Sequence, residues 1–167
     1  VADYLATLGE AASPFRLRVE HAIDAGSRDG QIAALAALRQ ALRVRGSDVQ
    51  IVVDEWCNTL DDIRLFVAAG AADVIHVKTP DLGGVNNTIE ALLLVARGGL
   101  LAYCGGTCNE TDRSAQVSAN IAMACAAHQV LAKPGMGVDE GMMIVGNEMT
   151  RVAALVAARA ERKDSVR

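Results

Sequence analysis

Aromatic side chains and long apolar runs are both scarce in this sequence, and each shortage excludes a class of protein. Aromatic residues make up 3% of the 167 positions while hydrophobic residues make up 51%, so we expect a core of aliphatic and alanine side chains. That length suits one globular domain covering residues 1–167. No apolar run reaches the roughly 18 residues of a membrane span and no signal peptide opens the chain, which predicts a cytoplasmic protein without a membrane partner.

Cysteine and basic charge are also in short supply. The four cysteines, Cys57, Cys104, Cys108 and Cys125, include no C-x-x-C pair, which argues against a zinc site or a disulfide framework and predicts reduced thiols. The formal net charge of −4 argues against a nucleic-acid partner, because binding a phosphate backbone requires a concentrated basic surface. The composition therefore describes an acidic globular domain, whose function must be sought in its motifs.

Four short segments have the composition of β-strands, three of them strongly apolar, and they alternate with helical patterns. The strands are predicted to end at Glu20, Asp54, Lys78 and Cys104. Between them, apolar residues recur at helical spacing: Ile32, Leu35, Ala36, Leu38 and Leu42; Leu60, Ile63, Phe66 and Val67; Val85, Ile89, Leu92, Leu93 and Ala96. Apolar strands separated by helices predict a parallel sheet covered by helices, either an open doubly wound sheet or a (β/α)8 barrel.

The last third of the chain predicts further elements of the same kind. Beyond the fourth strand, a glycine-rich segment leads into residues 115–132, whose pattern predicts one long helix. The apolar run GMMIVGNEM, residues 141–149, predicts a short fifth strand, and a final helix is expected at about residues 147–162. Earlier in the chain, Thr59 followed by Asp62 predicts a capping box at the start of a helix.

Three consecutive predicted strands end in residues that can perform chemistry. In parallel α/β folds the carboxyl ends of the strands meet at one edge, so Glu20, Asp54 and Lys78 should converge there. Two facing carboxylates repel each other, and their hard oxygen atoms suit Mg²⁺. Burial and a nearby cation would both lower the pKa of Lys78, which favours the neutral amine of a general base. A lysine at a strand end also suits Schiff-base chemistry, as in an aldolase, so both alternatives stay open.

Four longer motifs resemble those of the methylaspartate ammonia-lyase family, within the enolase superfamily. They are VDEWCNTLDDI, VKTPDLGGVNNTIEAL, CGGTCNET and MGVDEGMMIVGNEM, collinear between about residue 15 and about residue 159. The resemblance implies a (β/α)8 barrel that requires Mg²⁺, uses K⁺ as a monovalent activator and forms homodimers. It also implies the interconversion of L-threo-3-methylaspartate with mesaconate and ammonia, a step of glutamate degradation.

The resemblance also assigns roles to individual residues. Glu20 and Asp54 would bind the metal ion, and Lys78 would remove the C3 proton of the substrate. Thr107 and Cys108, in the motif GGTCNET, match positions at a substrate carboxylate or its surroundings. The resemblance thus predicts a catalytic lysine, a metal site and a substrate-binding loop on one chain.

Two histidines depart from the family pattern. His76 stands where the family commonly has a glutamine that contacts substrate. The period-two alternation of a strand places His76 on the same face as Lys78, where it can keep a hydrogen bond to the substrate. The alternative is a core histidine whose nitrogens are satisfied within the protein. His21 stands directly after Glu20, where a glycine is expected.

The family's capping domain, first metal carboxylate and opposing histidine would all precede Val1. Only about five of the eight strands are identified, and a typical barrel needs roughly 250 residues. We therefore expect an incomplete (β/α)8 barrel, the C-terminal part of a longer enzyme, that is inactive by itself. Another enolase-superfamily lyase or isomerase, a Schiff-base aldolase using Lys78 and a non-catalytic fragment remain as alternatives.

Overall fold

Strands and helices alternate along the whole described part of the chain. The structure, a computed structural model, describes residues 1–107, 110–131 and 137–164. The strands are β1 (Arg18–Glu20), β2 (Gln50–Val53), β3 (Val74–Val77), β4 (Leu101–Cys104) and β5 (Gln129–Val130). The helices are α1 (Ala2–Ala11), α2 (Arg28–Val44), α3 (Leu60–Ala68), α4 (Val85–Arg97), α5 (Asp112–Ala124) and α6 (Val138–Asp164). The predicted α/β class is confirmed. None of the helices described is both long and apolar enough to cross a membrane.

The five strands form one parallel sheet in which they lie in chain order, β1 to β5. Glu20 at the end of β1 pairs with Val52, and Val77 at the end of β3 pairs with Cys104. The carboxyl ends of the strands therefore meet at one edge. A doubly wound sheet reverses its strand order partway along, whereas this order runs in a single direction. The topology supports the barrel alternative.

The sheet is curled into a trough. Arg18 on β1 donates hydrogen bonds to Gln50 Oε1 on β2, at 2.9 Å, and to Gln129 Oε1 on β5, at 2.8 Å. In a flat sheet β1 and β5 would lie about 19 Å apart, because neighbouring strands are about 4.8 Å apart. That separation is far beyond the reach of one arginine side chain. The outer strands therefore bend toward each other, and the sheet forms an open half-barrel with Arg18 inside.

The two faces of the sheet bury different sets of side chains. The outer face packs against the helices in the main core, which includes Ile51, Val53, Ile75, Val77, Ala102 and Cys104 from the strands and Leu35, Leu42, Ile63, Phe66, Leu92 and Val95 from the helices. On the inner face, Val52, Val74 and Tyr103 form a smaller apolar cluster beneath the carboxyl edge. Burial on both faces explains why β2, β3 and β4 appear in the sequence as continuous apolar runs.

Local sequence determines where helix α3 begins and where it ends. The hydroxyl of Thr59 accepts a hydrogen bond from the backbone N–H of Asp62, and the Asp62 carboxylate accepts one from the backbone N–H of Thr59. This is the predicted capping box. After the helix, Gly70 has a φ of +60°, a left-handed conformation that glycine adopts at little cost. The chain then turns back into β3, which places His76 and Lys78 near the carboxyl edge.

The prediction of a strand in residues 141–149 is wrong. These residues lie inside α6, which begins at Val138 rather than at about residue 147. Burial falls on Gly141, Val145 and Glu148, which are spaced as one face of a helix. A short apolar run fits a strand and a buried helix equally well, so the pattern alone could not separate them.

The single long helix predicted for residues 115–132 is also wrong. Helix α5 ends at Ala124, and Ala126 takes a left-handed φ of +54° that interrupts the helix. The chain then forms β5, in which Gln129 pairs with Tyr103 of β4. Pairing with an existing strand overrides the local helical preference, and the fifth strand of the sheet comes from this segment.

Candidate metal and catalytic site

The three residues predicted at strand ends lie together at the carboxyl edge of the half-barrel. Glu20 is the last residue of β1, Asp54 directly follows β2, and Lys78 directly follows β3. Lys78 Nζ lies 2.6 Å from Asp54 Oδ1. An apolar strand can end in this lysine because the ammonium group leaves the core and meets a carboxylate on the neighbouring strand.

His76 joins the two carboxylates from strand β3. Its Nδ1 lies 3.3 Å from Asp54 Oδ2 and 3.5 Å from Glu20 Oε1. One oxygen or nitrogen from each of these three residues lies within 4.8 Å of the other two. Two carboxylate oxygens and an imidazole nitrogen at such distances have the chemistry and the spacing to bind one divalent cation.

The side chains of the cluster differ in exposure: Asp54 and His76 are buried, and Glu20 is the most exposed. The side chains of Asp54 and His76 are 9% and 8% exposed, whereas that of Glu20 is 40% exposed. Lys78 lies between these extremes. A small ligand can therefore reach the cluster from the side of Glu20, while Asp54 is held among protein atoms.

The surroundings of Asp54 keep it ionised. Burial by itself would raise the pKa of this carboxyl, but His76 and Lys78 outweigh burial and lower the pKa to about 2. An ionised carboxylate is the form that binds metal ions. Asp54 is thus available as a ligand at any pH near neutrality.

The pKa of Lys78 is shifted in the direction opposite to the one expected. Burial does lower the pKa of the amine, but the hydrogen bond and the charge of Asp54 raise it by more, and Asp81 adds to this increase. Asp81 Oδ2 lies 3.8 Å from Lys78 Nζ. In the protein alone Lys78 is therefore a charged partner of Asp54. The pKa rises because the carboxylate of Asp54 faces the amine and outweighs the effect of burial.

Tyr103 and Gly105 belong to the site although neither was singled out in the sequence. The hydroxyl of Tyr103 donates a hydrogen bond to Glu20 Oε2. Burial and this hydrogen bond raise the pKa of Tyr103, so the phenol stays a donor. A Cβ atom at Gly105 would overlap His76 Nε2, so only glycine fits against that ring. Alternation along β4 puts Tyr103 and Gly105 on one face, but only the register against β3 brings them to His76.

The loops that follow the two carboxylates are tied to each other. Trp56 Nε1, two residues after Asp54, donates a hydrogen bond to Asp24 Oδ1 at 3.2 Å. Each loop also contains a residue in the left-handed region, His21 with φ +52° and Trp56 with φ +66°. The chain thus turns sharply after Glu20 and again after Asp54, which leaves both residues at the carboxyl edge of the sheet.

The predicted substrate loop is only partly described. Thr107 follows β4 by three residues at the carboxyl edge and is partly buried, whereas Cys108 lies outside the described residues. Their contact with a substrate carboxylate stays a prediction.

Parallel strands in chain order form part of a barrel, and this half-barrel is similar in structure to enolase-superfamily enzymes. A probable mandelate racemase from Alicyclobacillus acidocaldarius is 26% identical to the chain, has a TM-score of 0.58 and is matched over 72% of this chain and 29% of that one. The predicted fold class, an incomplete barrel of this superfamily, is confirmed.

Sequence comparison defines the family. The model of the methylaspartate ammonia-lyase C-terminus matches residues 1–158. The methylaspartate ammonia-lyase of Clostridium tetanomorphum is 57% identical over 159 residues, which are 95% of this chain and 38% of that protein. The chain belongs to the methylaspartate ammonia-lyase family, and it spans less than half the length of its curated relatives.

Solved structures of family members have the same fold. The Mg complex of β-methylaspartase from Clostridium tetanomorphum has a TM-score of 0.92 at 57% identity, over 95% of this chain and 38% of that one. The Citrobacter amalonaticus methylaspartate ammonia lyase containing (2S,3S)-3-methylaspartic acid has a TM-score of 0.90 at 46% identity, over 93% and 38% of the two chains. The backbone that carries the site is therefore shared with these enzymes.

Proposed function

We propose that this chain supplies the metal-binding and proton-abstracting part of a methylaspartate ammonia-lyase. The reaction is the elimination of ammonia from L-threo-3-methylaspartate to give mesaconate. The observation that carries the proposal is the meeting of Glu20, Asp54 and Lys78 at one edge, with Lys78 Nζ 2.6 Å from Asp54 Oδ1. Membership in the family and similarity to an enzyme solved with methylaspartic acid support this substrate.

Glu20 and Asp54 would hold Mg²⁺ in this proposal. Both offer hard oxygen atoms, Asp54 is ionised, and a similar enzyme was solved as its Mg complex. When bound, the ion supplies positive charge that stabilises negative charge on a substrate carboxylate next to C3. K⁺ is proposed as a second, activating cation on the family resemblance.

Lys78 is proposed to take the C3 proton. A general base must be neutral before it accepts a proton, and the amine is held charged by Asp54. Burial acts in the other direction, so the neutral form gains as the pairing with Asp54 weakens. Burial thus favours the neutral amine of Lys78, whereas Asp54 favours the charged one. The effect of Asp54 depends on the charge of this carboxylate, which is itself a proposed metal ligand.

The substrate itself is proposed to contact the residues beside the lysine. His76 and Thr107 lie at the carboxyl edge, and Cys108 belongs to the same motif. By family resemblance these three would surround the amino acid and its carboxylate.

We further propose that the complete enzyme is a cytoplasmic homodimer. The thiols of Cys57 and Cys125, which form no disulfide within the described ranges, agree with a reducing compartment.

The test replaces Lys78 in the full-length protein. Lys78→Ala removes the base, and Lys78→Arg keeps the positive charge beside Asp54 but cannot be deprotonated. Both variants should lose deuterium exchange at C3 of methylaspartate in D2O by about 10²–10⁴-fold. Mg²⁺ affinity, measured by calorimetry, should change little in Lys78→Arg.

The outcome separates this function from its competitors. Undiminished C3 exchange in either variant would remove Lys78 from the reaction. Covalent trapping of a carbonyl substrate at Lys78 by borohydride would instead assign Schiff-base chemistry. Residues 1–167 by themselves should release no mesaconate, because the resemblance places the opposing acid/base outside them.

A further inference from the structure

We infer that His76 adds a nitrogen ligand to the metal ion, binding through Nδ1 beside Glu20, Asp54 and the further carboxylate that the family resemblance implies, and that this nitrogen shifts the preference of the site from Mg²⁺ toward Mn²⁺ and related transition-metal ions. The inference rests on the proposed function, in which Glu20 and Asp54 hold the cation. It differs from the expectation that His76 serves only as a substrate contact.

The first support is the burial of the imidazole, whose Nδ1 lies near two carboxylates without a well-formed hydrogen bond to either. The side chain is 8% exposed, and within the described residues neither ring nitrogen makes a hydrogen bond. A buried polar atom that lacks a partner is costly, so native structures almost always satisfy it with protein, water or an ion. Nδ1 faces one oxygen of each carboxylate, and a cation shared with these two oxygens would give the nitrogen a partner.

The second support is the spacing of the donor atoms. Nδ1 lies 3.3 Å from Asp54 Oδ2 and 3.5 Å from Glu20 Oε1. Neighbouring ligands around an octahedral ion with bonds of about 2.1 Å are about 3 Å apart. The observed separations exceed that edge by only a few tenths of an ångström, which small side-chain rotations can close.

The third support is the wall that holds the ring. His76 packs on Tyr103 with ring centroids 4.4 Å apart, and Gly105 lies against Nε2 so closely that a Cβ would overlap it. Tyr103 also donates a hydrogen bond to Glu20, so one side chain contacts two of the three proposed ligands. The wall leaves Nδ1 on the side of the carboxylates and preorganises the set before an ion binds.

The chemistry of the donors sets the metal preference. Mg²⁺ takes oxygen ligands almost exclusively, whereas imidazole suits transition metals. One nitrogen added to the carboxylates leaves oxygen ligands for Mg²⁺ but favours Mn²⁺ and its neighbours in the transition series. A glutamine at the same position would offer no imidazole, so His76→Gln is the variant that isolates the effect.

The experiment uses the full-length protein loaded with Mn²⁺. Pulsed electron paramagnetic resonance should detect modulation from a directly bound ¹⁴N nucleus, and this modulation should weaken or disappear in His76→Gln. Mn²⁺ affinity in the variant should fall at least about tenfold, the smallest loss typical of damaged metal sites. Mg²⁺ affinity, measured by competition, should fall less. His128→Gln, which removes another imidazole of the half-barrel, should leave the ¹⁴N modulation and both affinities unchanged.

Each remaining outcome has a definite meaning. If the parent and His76→Gln show the same ¹⁴N modulation and the same ratio of Mn²⁺ to Mg²⁺ affinity, His76 is not a ligand, while the proposed function stands. A rise in KM for methylaspartate with an unchanged affinity ratio would return His76 to the role of substrate contact. If the parent protein binds neither ion, both the metal site of the proposed function and this inference fail.

Discussion

At the scale of single residues, Asp54 is the most constrained group of the site. One of its oxygens lies 2.6 Å from Lys78 Nζ, and the other faces His76 Nδ1 at 3.3 Å. The same carboxylate therefore sets the charge of the proposed base and contributes to the proposed metal site. This coupling explains why the lysine is charged in the protein alone, a result that position at a strand end did not predict.

His21 is the residue where replacement should improve the protein. It is exposed and has a φ of +52°, a conformation that costs most residues about 1 kcal/mol or more but costs glycine little. His21→Gly should raise the free energy of unfolding by about 0.5–1 kcal/mol, measured by urea denaturation. His21→Ala keeps the strained backbone and serves as the control. Equal stability of the two variants would show that the turn after Glu20 is not strained.

The site residues differ in how far the sequence alone could reveal them. Glu20, Asp54 and Lys78 end apolar strands, so alternation and the common edge of parallel strands were enough to group them. Tyr103 was missed because its hydrogen bond to Glu20 spans 83 residues of sequence and depends on how strongly the sheet curls. A pattern along one strand carries no information about that curvature.

At the scale of elements, a cluster of charged and polar side chains links α6 to α5 by hydrogen bonds. Glu148 on α6 accepts hydrogen bonds from Asn120 on α5 and from Arg151 one turn later, each with a shortest distance of 2.6 Å. The hydrogen bonds from Arg151 and Asn120, aided by the charge of Arg113, lower the pKa of Glu148 to about 2. The carboxylate thus stabilises the packing of the two helices only while it is ionised.

The packing of α5 against α6 should therefore weaken in acid. Because the pKa of Glu148 in the folded protein is below its ordinary value of 4.5, its contribution is complete above that pH and is lost as the pH falls toward about 2. Glu148→Gln should be less stable than the parent at pH 7, and the difference should shrink as the pH falls. Urea denaturation of both proteins between neutral and acidic pH measures it. A difference that stays constant over that range would show that Glu148 does not titrate with folding.

The elements also show where sequence patterns stop being informative. The strands β2 to β4 and the helices between them followed from apolar patterns, because each has a buried face, whereas β1 is at most partly buried. Strand β5 has two residues and, among the strands that the structure describes, pairs with β4, so this pairing rather than local composition defines it. The apolar run at residues 141–149 misled because methionine and valine suit a helix face as well as a strand.

At the scale of the whole molecule, the described chain is an open half-barrel. Five parallel strands curve around Arg18, and the carboxylates stand at one rim. The relatives that it matches are more than twice as long, and a complete barrel of this kind has eight strands. The site on this chain is therefore one side of the hollow, and the substrate is proposed to lie between it and the rest of the enzyme.

The most direct test of the account is to locate the metal ion itself. Crystals of the full-length protein grown with Mn²⁺ in place of Mg²⁺ should give an anomalous scattering peak about 2.1–2.2 Å from carboxylate oxygens of both Glu20 and Asp54, on the side that faces His76. Lys78 Nζ should lie at the same rim, beside the ion. A metal peak elsewhere in the molecule, or a Mn²⁺-loaded crystal with no peak between these two carboxylates, would contradict the proposed site and the chemistry assigned to it.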